Sequence, residues 1–587
     1  VSHDLADAAN LVAQFRHQMS ERPQAPATGF LAAPDDPVNG IVSWSFEALD
    51  RQARVRAGWL QSHLPTGSRV LLLHPNGLEF AAAFLGCLYA GMIAVPAPLP
   101  GRYRHHRHRV AAVAADADAG GILTTSAQLA EVRQWAADSG LGGLPTVAGE
   151  ELTGAGDDWR PVPLERSTTA LLQYTSGSTG DPKGVVLSHD NVLFNMAAAV
   201  DGIGWPAEMR LGGWLPLYHD MGLNGEFLFA VLRGGFSLLM DPAAFVRRPL
   251  RWLQMLDAQD INVTFAPNFA YQLCVNKIDD RELAGLDLSR WRVAGNGSEP
   301  VDPGVLAAFT KKFAAAGFRE DAFAPVYGLA ESTVYVSGRR GRRPRIQRVD
   351  LARLARGEFA PAAAGQPIRD VVSCGPPSAA CEIQVVDPTT RAVLPPGRLG
   401  EIWLRGRSVS AGYWRRPSTG EVFGATTADG QTGYLRTGDL GAFEAGELYV
   451  HGRLKDMLIV RGRNVYPQDI EQELRTQLPE LGQVGAVFAG PDHGPVADDD
   501  QSVVVAHEVT ALPADRLAAL ATQIRFIVAR DFGVRIAAVL LLRPGTVLRT
   551  TSGKVQRSAM RERFVEGTLT PLYQDPPGAS ASDPAVP

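Results

Sequence analysis

Short apolar runs alternate with helical patterns along the first two-thirds of the chain, and nothing else in the sequence limits the fold as much. The runs include Arg69–Leu73, Ile93–Val95, Gly121–Thr124, Ala170–Tyr174, Ser237–Met240 and Val263–Phe265. Each has strand length. Strands interleaved with helices build βαβ units, whose sheets are largely parallel and covered on both faces. Two such sheets fit between about residue 40 and residue 370. The pattern then changes to strand-like runs, Glu382–Val386, Gly400–Leu404 and Glu447–Val450, separated by Gly/Pro turns with little helical signal. A small antiparallel sheet or barrel is expected there. From about Asp456 helices and strands mix again, with a helix beginning near Pro467.

The expected class is α/β. A large N-terminal domain of two βαβ sheet subdomains plus a small β-barrel occupies residues 1–452. A hinge follows at 453–456, then a small mobile α+β domain at 457–572 and a disordered tail at 573–587. The 587 residues allow about four domain-sized units. The uncharged stretch Phe80–Pro100 is long enough to span a membrane, but Gly91 and three prolines break it. A buried helix over about Leu78–Ala90 followed by a short strand accounts for it, so no membrane span is expected. Four cysteines without a CxxC pair are no disulfide framework, which points to a reducing cytoplasm. A net charge of -5 gives no reason to expect nucleic acid. Two basic runs, Arg102–Arg109 and Arg339–Arg348, read as solvated loops.

Only six of the 57 basic residues are lysine, so each lysine is a candidate for a specific role. One ends the segment Tyr174–Gly184, which follows an apolar strand. Three glycines, four Ser/Thr hydroxyls and Lys183 fall in those eleven residues. Glycines let backbone N–H groups turn inward and hydroxyls add donors, giving an anion nest suited to a triphosphate. It is no Walker A loop, because Pro182 precedes the lysine and no Ser/Thr follows it. A second segment, Tyr327–Ser332, puts Glu331 in a tight turn at a strand end, where a carboxylate can hold Mg²⁺ beside phosphates. Taken alone, such a glutamate is more often a surface turn residue. Third, Asp439 in Tyr434–Asp439 could accept from ribose hydroxyls. Fourth, Lys554 stands in the Gly turn Arg549–Lys554.

In order, spacing and wording these four segments resemble the adenylate-forming superfamily: acyl-CoA synthetases, peptide-synthetase adenylation domains and luciferases. The resemblance runs from about residue 10 to residue 570. Trp214–Gly222, Ala266–Tyr271, Asn296–Val301 and Val460–Glu471 are similar to the fatty acyl-AMP ligases in particular. Arg461-Gly462-Arg463 stands where acyl-CoA synthetases usually carry a Ser-Gly-Gly-like turn. The 41 residues between Ser332 and Cys374 exceed what acyl-CoA synthetases have, and look like the insertion (about 337–372) that marks acyl-AMP ligases. In that family it hampers thioester formation with free coenzyme A. The alternative is a length-variable surface loop.

The resemblance implies activation of a fatty acid to acyl-adenylate with ATP and Mg²⁺, releasing pyrophosphate. Acyl transfer follows to the phosphopantetheine thiol of an acyl carrier protein or carrier domain, for polyketide, lipopeptide or lipid synthesis. It implies that Thr175, Ser176, Gly177, Ser178, Thr179, Gly180 and Lys183 cradle the phosphates, and that Glu331, with Ser178, holds the metal. Asn296, Gly297, Ser298, Tyr327, Gly328 and Leu329 would bracket adenine, and Asp439 with Arg453 the ribose. Lys554 would bridge the carboxylate and α-phosphate, His219 would lie beside the acyl carboxylate, and Lys455 would mark the hinge. Lys554, His219 and Glu331 are thus the expected catalytic residues. A monomer is the expected state. An acyl-CoA synthetase is the competing enzyme, and a non-catalytic acyl- or nucleotide-binding relic the competing class.

Overall fold

In the computed structural model of the protein, the described residues are 5, 7–175, 182–339, 341–416, 421–460, 463–490, 502–510, 512–549 and 554–575. The apolar runs become strands of two large sheets. One sheet orders Thr146–Ala148, Ala119–Thr124, Arg69–Leu73, Ile93–Ala97, Thr169–Thr175 and Lys183–Ser188. Its strands are parallel except the last, which returns antiparallel with Lys183 opposite Thr175. The other sheet holds eight strands. Its parallel centre runs Phe323–Tyr327, Val293–Asn296, Val263–Ala266, Arg210–Gly213, Phe236–Leu239 and Pro26–Leu31, with an antiparallel strand at each edge. Strands Val70–Leu73, Ala94–Val95 and Ala170–Leu172 are fully buried, as continuous apolar runs in a doubly covered sheet must be.

The uncharged stretch is the helix Leu78–Tyr89 and the strand Ile93–Ala97. Phe80 through Tyr89 are all buried, so this helix is apolar on every side because protein surrounds it. No described helix is long and apolar enough to cross a membrane. All four cysteines are buried and unpaired.

The expected barrel is an open sheet. Glu382–Val386, Gly400–Arg405, Leu435–Glu444 and Glu447–Arg453 form an antiparallel meander whose outer strands do not pair with each other. The edge of the last strand is taken by a different segment. Cys374 donates its N–H to Leu448 O (2.8 Å) and Leu448 donates back to Gly375 O (2.8 Å). The long segment after Ser332 supplies that cover. It also folds into an antiparallel hairpin, Ile346–Asp350 with Ile368–Val372, joined through the short helix Leu351–Leu354. Val349, Leu354, Phe359 and Val371 share an apolar cluster with Leu440, Tyr449 and Tyr466.

The C-terminal part orders Leu481–Ala489, Val503–Val509, Ile536–Leu542 and Tyr573–Asp575 in one sheet, with helices Pro467–Gln477, Ala514–Phe532 and Arg557–Val565. Ile470, Leu474, Val505, Leu517, Ile524 and Val539 lie in an apolar cluster of this part alone. Residues 573–575, expected within a disordered tail, instead form the edge strand. Asp575 is held there by Arg525, whose Nε stands 2.5 Å from its Oδ2. The rest of the tail lies outside the described residues.

Candidate active site

In open α/β sheets ligands bind beyond the carboxyl ends of the strands, and most predicted residues sit there. Thr175 ends its strand and Lys183 begins the return. Ser176, Gly177, Ser178, Thr179 and Gly180 lie outside the described residues. The Lys183 ammonium stands 5.4 Å from the centre of the Tyr413 ring. The Tyr413 hydroxyl donates to Glu331 Oε1 at 2.8 Å. Burial, then the Glu331 carboxylate, push the Tyr413 phenol well above its ordinary range, which keeps it a donor. Tyr413 therefore joins the lysine of the first motif to the glutamate of the second. Sequence reading gave it no role, and no local pattern marks it, because its partner is 82 positions away.

The nucleoside-side residues are built by close packing. Asn296 ends its strand and donates to Asn268 Oδ1 (3.3 Å). At Gly297 a Cβ would lie 2.7 Å from Val326 Cγ2, and at Gly328 a Cβ would lie 1.6 Å from the Val334 carbonyl oxygen. Only glycine admits that backbone approach. Leu329 precedes the single turn Ala330–Ser332 that carries Glu331. Two residues without glycine's freedom have positive φ here, Ser298 at 70° and Thr333 at 67°. For β-branched Thr333 this stores on the order of 1–3 kcal/mol, as strained functional sites do. Its hydroxyl donates to Ser408 O (2.9 Å), which helps hold it.

Tyr327 donates its hydroxyl to Asp439 Oδ2 at 2.8 Å, and Arg453 Nε stands 2.9 Å from Asp439 Oδ1. The predicted adenine and ribose residues are thus one hydrogen-bonded unit. Each carboxylate oxygen has a second lone pair, so Asp439 can still accept from a ribose hydroxyl. Asp439, ahead of a smaller burial effect, raises the Arg453 pKa. Lys455 lies in the turn Leu454–Asp456 after this strand; burial and then Arg453 lower its pKa.

Lys554 reaches the same place from the C-terminal part. Burial and then Arg453 lower the pKa of its amine, while Asp220, Asp439 and Glu299 oppose them. Asp220 caps the π-helical segment Met221–Leu228, accepting from Met221 N–H at 2.8 Å. His219 is anchored through its neighbour, because Gln173 donates to Tyr218 O at 2.7 Å. Burial, then Arg109 and Lys554, push His219 down to about 3, so its imidazole is neutral. Burial raises Glu299 to about 7, although Phe269 N–H donates to it at 2.6 Å and Lys554, Arg549 and Arg475 pull the other way. Asp220 and Glu299 lie in motifs but were assigned no role; Arg109 belongs to the basic run expected as a solvated loop, which from Arg104 is instead the start of the helix Arg104–Ala117.

A small cavity of about 40 Å³ is lined by Asp220, Met221, Gly225, Phe229, Phe265 and Tyr335, among others. A larger open groove, about 660 Å³, runs along Arg166, Asp190 and Arg407 and touches none of the predicted residues. Among the described residues no group of three or more His, Cys, Asp or Glu could hold a metal ion. One carboxylate, Glu331, beside a phosphate site is nevertheless the donor set magnesium uses, since that ion keeps waters and takes substrate phosphates as ligands. The arrangement gathers the cations Lys183, Arg453 and Lys554 and the carboxylates Glu331 and Asp439 where the predicted nucleotide residues lie.

Comparison with known proteins agrees with this chemistry. The model of a family described as AMP-binding enzyme matches residues 15–414. The medium-chain-fatty-acid–[acyl-carrier-protein] ligase JamA of Moorena producens is 37% identical over 571 residues, covering 95% of either chain. The long-chain-fatty-acid–AMP ligase FadD26 of Mycobacterium marinum is 36% identical over 569 residues, covering 94% of this chain and 96% of that one. A solved structure from work on the fatty acyl-adenylate ligases of E. coli and L. pneumophila superposes with a TM-score of 0.85 at 29% identity, covering 96% of this chain and 99% of the other.

Proposed function

Since the chain belongs to the AMP-binding enzymes, and among them to the fatty acyl-AMP ligases, we propose that it activates a fatty acid with ATP and passes the acyl group to a carrier-protein thiol. A carboxylate oxygen of the acid attacks the α-phosphorus of ATP. The bond to the bridging oxygen breaks and pyrophosphate leaves, giving the acyl-adenylate. The thiol of a phosphopantetheine arm then attacks the acyl carbonyl, loses its proton, and AMP departs. Carboxylates are poor acyl donors, and the mixed anhydride supplies the leaving group.

The observation that carries this reading is the convergence of Lys554 with Asp220, Asp439 and His219, residues more than 100 positions away along the chain. In that position its ammonium neutralises charge on the incoming carboxylate and the α-phosphate, the preorganised stabilisation that phosphoryl-type transfer needs. Neutral His219 adds no competing positive charge and can donate a hydrogen bond to the carboxylate. Lys183 and the loop before it hold the β- and γ-phosphates. Glu331, kept in place by Tyr413, would hold the metal ion. Magnesium, when bound, offsets phosphate charge as pyrophosphate forms. Asn296 to Ser298 and Tyr327 to Leu329 flank adenine, and Asp439 with Arg453 takes the ribose. Lys455 lies where the C-terminal part must pivot before the thiol can enter.

Transfer to a carrier protein rather than to free coenzyme A is supported by the hairpin after Ser332. Asn464 of the C-terminal part donates to Ala355 O at 3.3 Å, and Arg369 pairs with Asp469. Both contacts favour the adenylating arrangement over the rotated one. The test is incubation with ATP, magnesium and a fatty acid, alone, with coenzyme A or with a holo-carrier protein. Acyl-AMP should form in every arm and thioester only with the carrier. Acyl-CoA in large yield would identify an acyl-CoA synthetase, and no adenylate with any acid would end the enzymatic reading.

A further inference from the structure

The loop that carries His219 belongs to the eight-stranded sheet, yet side chains of the six-stranded sheet hold it. It leaves the strand Arg210–Gly213 and runs through Leu215, Pro216 and Leu217 to His219. Asn76 stands between the strand Arg69–Leu73 of the six-stranded sheet and the helix Leu78–Tyr89. Its Nδ2 donates to Leu215 O at 2.9 Å and to Met240 O at 3.3 Å, and its Oδ1 accepts from Leu217 N–H at 3.1 Å. Gln173, on the strand Thr169–Thr175 of the same sheet, donates to Tyr218 O at 2.7 Å. That carbonyl belongs to the peptide group whose nitrogen is that of His219.

An asparagine side chain is a planar amide with donor and acceptor side by side, so it can stand in for a peptide group between two stretches of backbone. Only this orientation serves here, because the reverse would set its oxygen against the Leu215 and Met240 carbonyls. The loop is also held from its own sheet. Glu226, in the π-helical segment, accepts from Leu215 N–H at 2.8 Å. Gly213 packs so closely on this carboxyl that a Cβ there would fall 1.9 Å from Glu226 Oε1. Beyond the clamp, His219 N–H donates to Pro216 O at 3.0 Å, and His219 O accepts from Leu223 N–H at 2.8 Å. The His219 backbone is therefore fixed by Asn76 and Gln173 on one side and by the π-helical segment on the other. The strand that carries Gln173 ends at Thr175, where the proposed phosphate segment begins. Sliding of one sheet against the other would move His219 relative to that segment, and these two amides oppose it.

We propose that Asn76, together with Gln173, is a positioning residue for adenylation: it keeps His219, and the fatty carboxylate beside it, in register with the α-phosphate. The inference rests on the acyl-adenylating reading and deepens it. The attacking oxygen must meet the phosphorus in line with the leaving pyrophosphate, and a misplacement of ~1 Å can cost on the order of 10²-fold in rate. Binding of ATP alone needs no such register, since the proposed nucleotide contacts belong to other residues.

The experiment is single-turnover acyl-AMP formation on the full chain, with ATP affinity measured separately by equilibrium titration. Asn76→Ala should slow adenylation by on the order of 10²-fold while ATP affinity stays at the wild-type value. The deciding readout is a double-mutant cycle with His219, which a merely structural role would not move. With His219→Ala already present, Asn76→Ala should cost little more, because residues that act through one another are not additive. Gln173→Leu, which removes the donor to Tyr218 O, carries the same cycle if Asn76→Ala does not fold. Adenylation at the wild-type rate in the folded variant, or losses that multiply in the double variant, would overturn the proposal while leaving adenylation standing. Absence of adenylate from the wild type with every acid would remove the function on which it rests.

Discussion

Arg369, on the hairpin that follows Ser332, places its Nε 3.4 Å from Oδ1 of Asp469 on the helix Pro467–Gln477; Asp469 is buried and Arg369 half-buried. His451 Nε2 stands 3.5 Å from the other carboxylate oxygen. Burial alone would raise the Asp469 pKa, but Arg369 and His451 outweigh it and the net shift is downward. One carboxylate of the C-terminal part is thus shared by the inserted hairpin and the open sheet. Removing one partner of a buried pair leaves an uncompensated charge, at a cost of about 3–5 kcal/mol. Arg369→Ala should therefore loosen the adenylating arrangement. The expected result is a several-fold rise in acyl-CoA formation with free coenzyme A, and a drop in single-turnover acyl-AMP formation. Coenzyme A turnover that stays at background in a folded variant would show that this pair does not hold the C-terminal part.

Lys554→Ala should reduce single-turnover acyl-AMP formation by on the order of 10²–10³-fold or more, the scale on which one preorganised transition-state donor acts. ATP binding, measured by equilibrium titration, should change little, because the proposed phosphate, adenine and ribose contacts belong to other residues. Adenylation at the wild-type rate would dismiss Lys554 from the chemistry.

Tyr413 separates two contributions. Tyr413→Phe keeps the ring beneath the Lys183 ammonium and deletes the bond to Glu331. A hydrogen bond to a charged group is worth about 1.5–3 kcal/mol, so kcat/KM for ATP should fall by roughly tenfold or more. Tyr413→Leu removes the cation–ring contact as well and should cost more. Equal losses in the two variants would mean that the ring contact contributes nothing; no loss in either would detach Tyr413 from the site.

Much of this arrangement was legible in the sequence because its signals are local. Buried parallel strands must be continuous apolar runs, and Arg69–Leu73 or Val263–Ala266 read as such. The scarcity of lysine also narrowed the candidates. Lys183 and Lys554 fall at the site and Lys455 at the turn before the C-terminal part, whereas Lys312 donates to Val275 O (2.9 Å) near the end of a helix, an ordinary capping role. What stayed hidden depends on distant partners. The open sheet reads like a barrel strand by strand, and only Cys374 and Gly375 pairing with Leu448 show why it does not close. Tyr413 meets Glu331 across 82 positions and Arg369 meets Asp469 across exactly the kind of gap that periodicity does not record.

Stability should fall as the solution is acidified below neutrality. His74, His189 and His507 are buried and His219 is half-buried, and desolvation is the leading cause that lowers them to about 3, 4, 4 and 3 respectively. Between those values and the ordinary 6.5 the unfolded chain binds protons that the folded chain does not, so stability rises with pH across that window and is lost as pH falls through it. His189 shows the local reason, since its Nδ1 accepts from Leu11 N–H at 3.3 Å and protonation would destroy the acceptor. Each histidine contributes on the order of 2–3 kcal/mol of loss by pH ~4.5. Glu299 works in the opposite sense: raised from 4.5 to about 7, it binds a proton in the folded state first and regains part of the loss on acidification. Four groups against one leave a net decline, so Tm should drop between pH 7 and pH 5 by roughly 10 °C or more, at about 2–4 °C per kcal/mol. His189→Gln should flatten that slope. A Tm that holds or climbs over the same range would mean that these histidines titrate together in the folded and unfolded chain, against their burial.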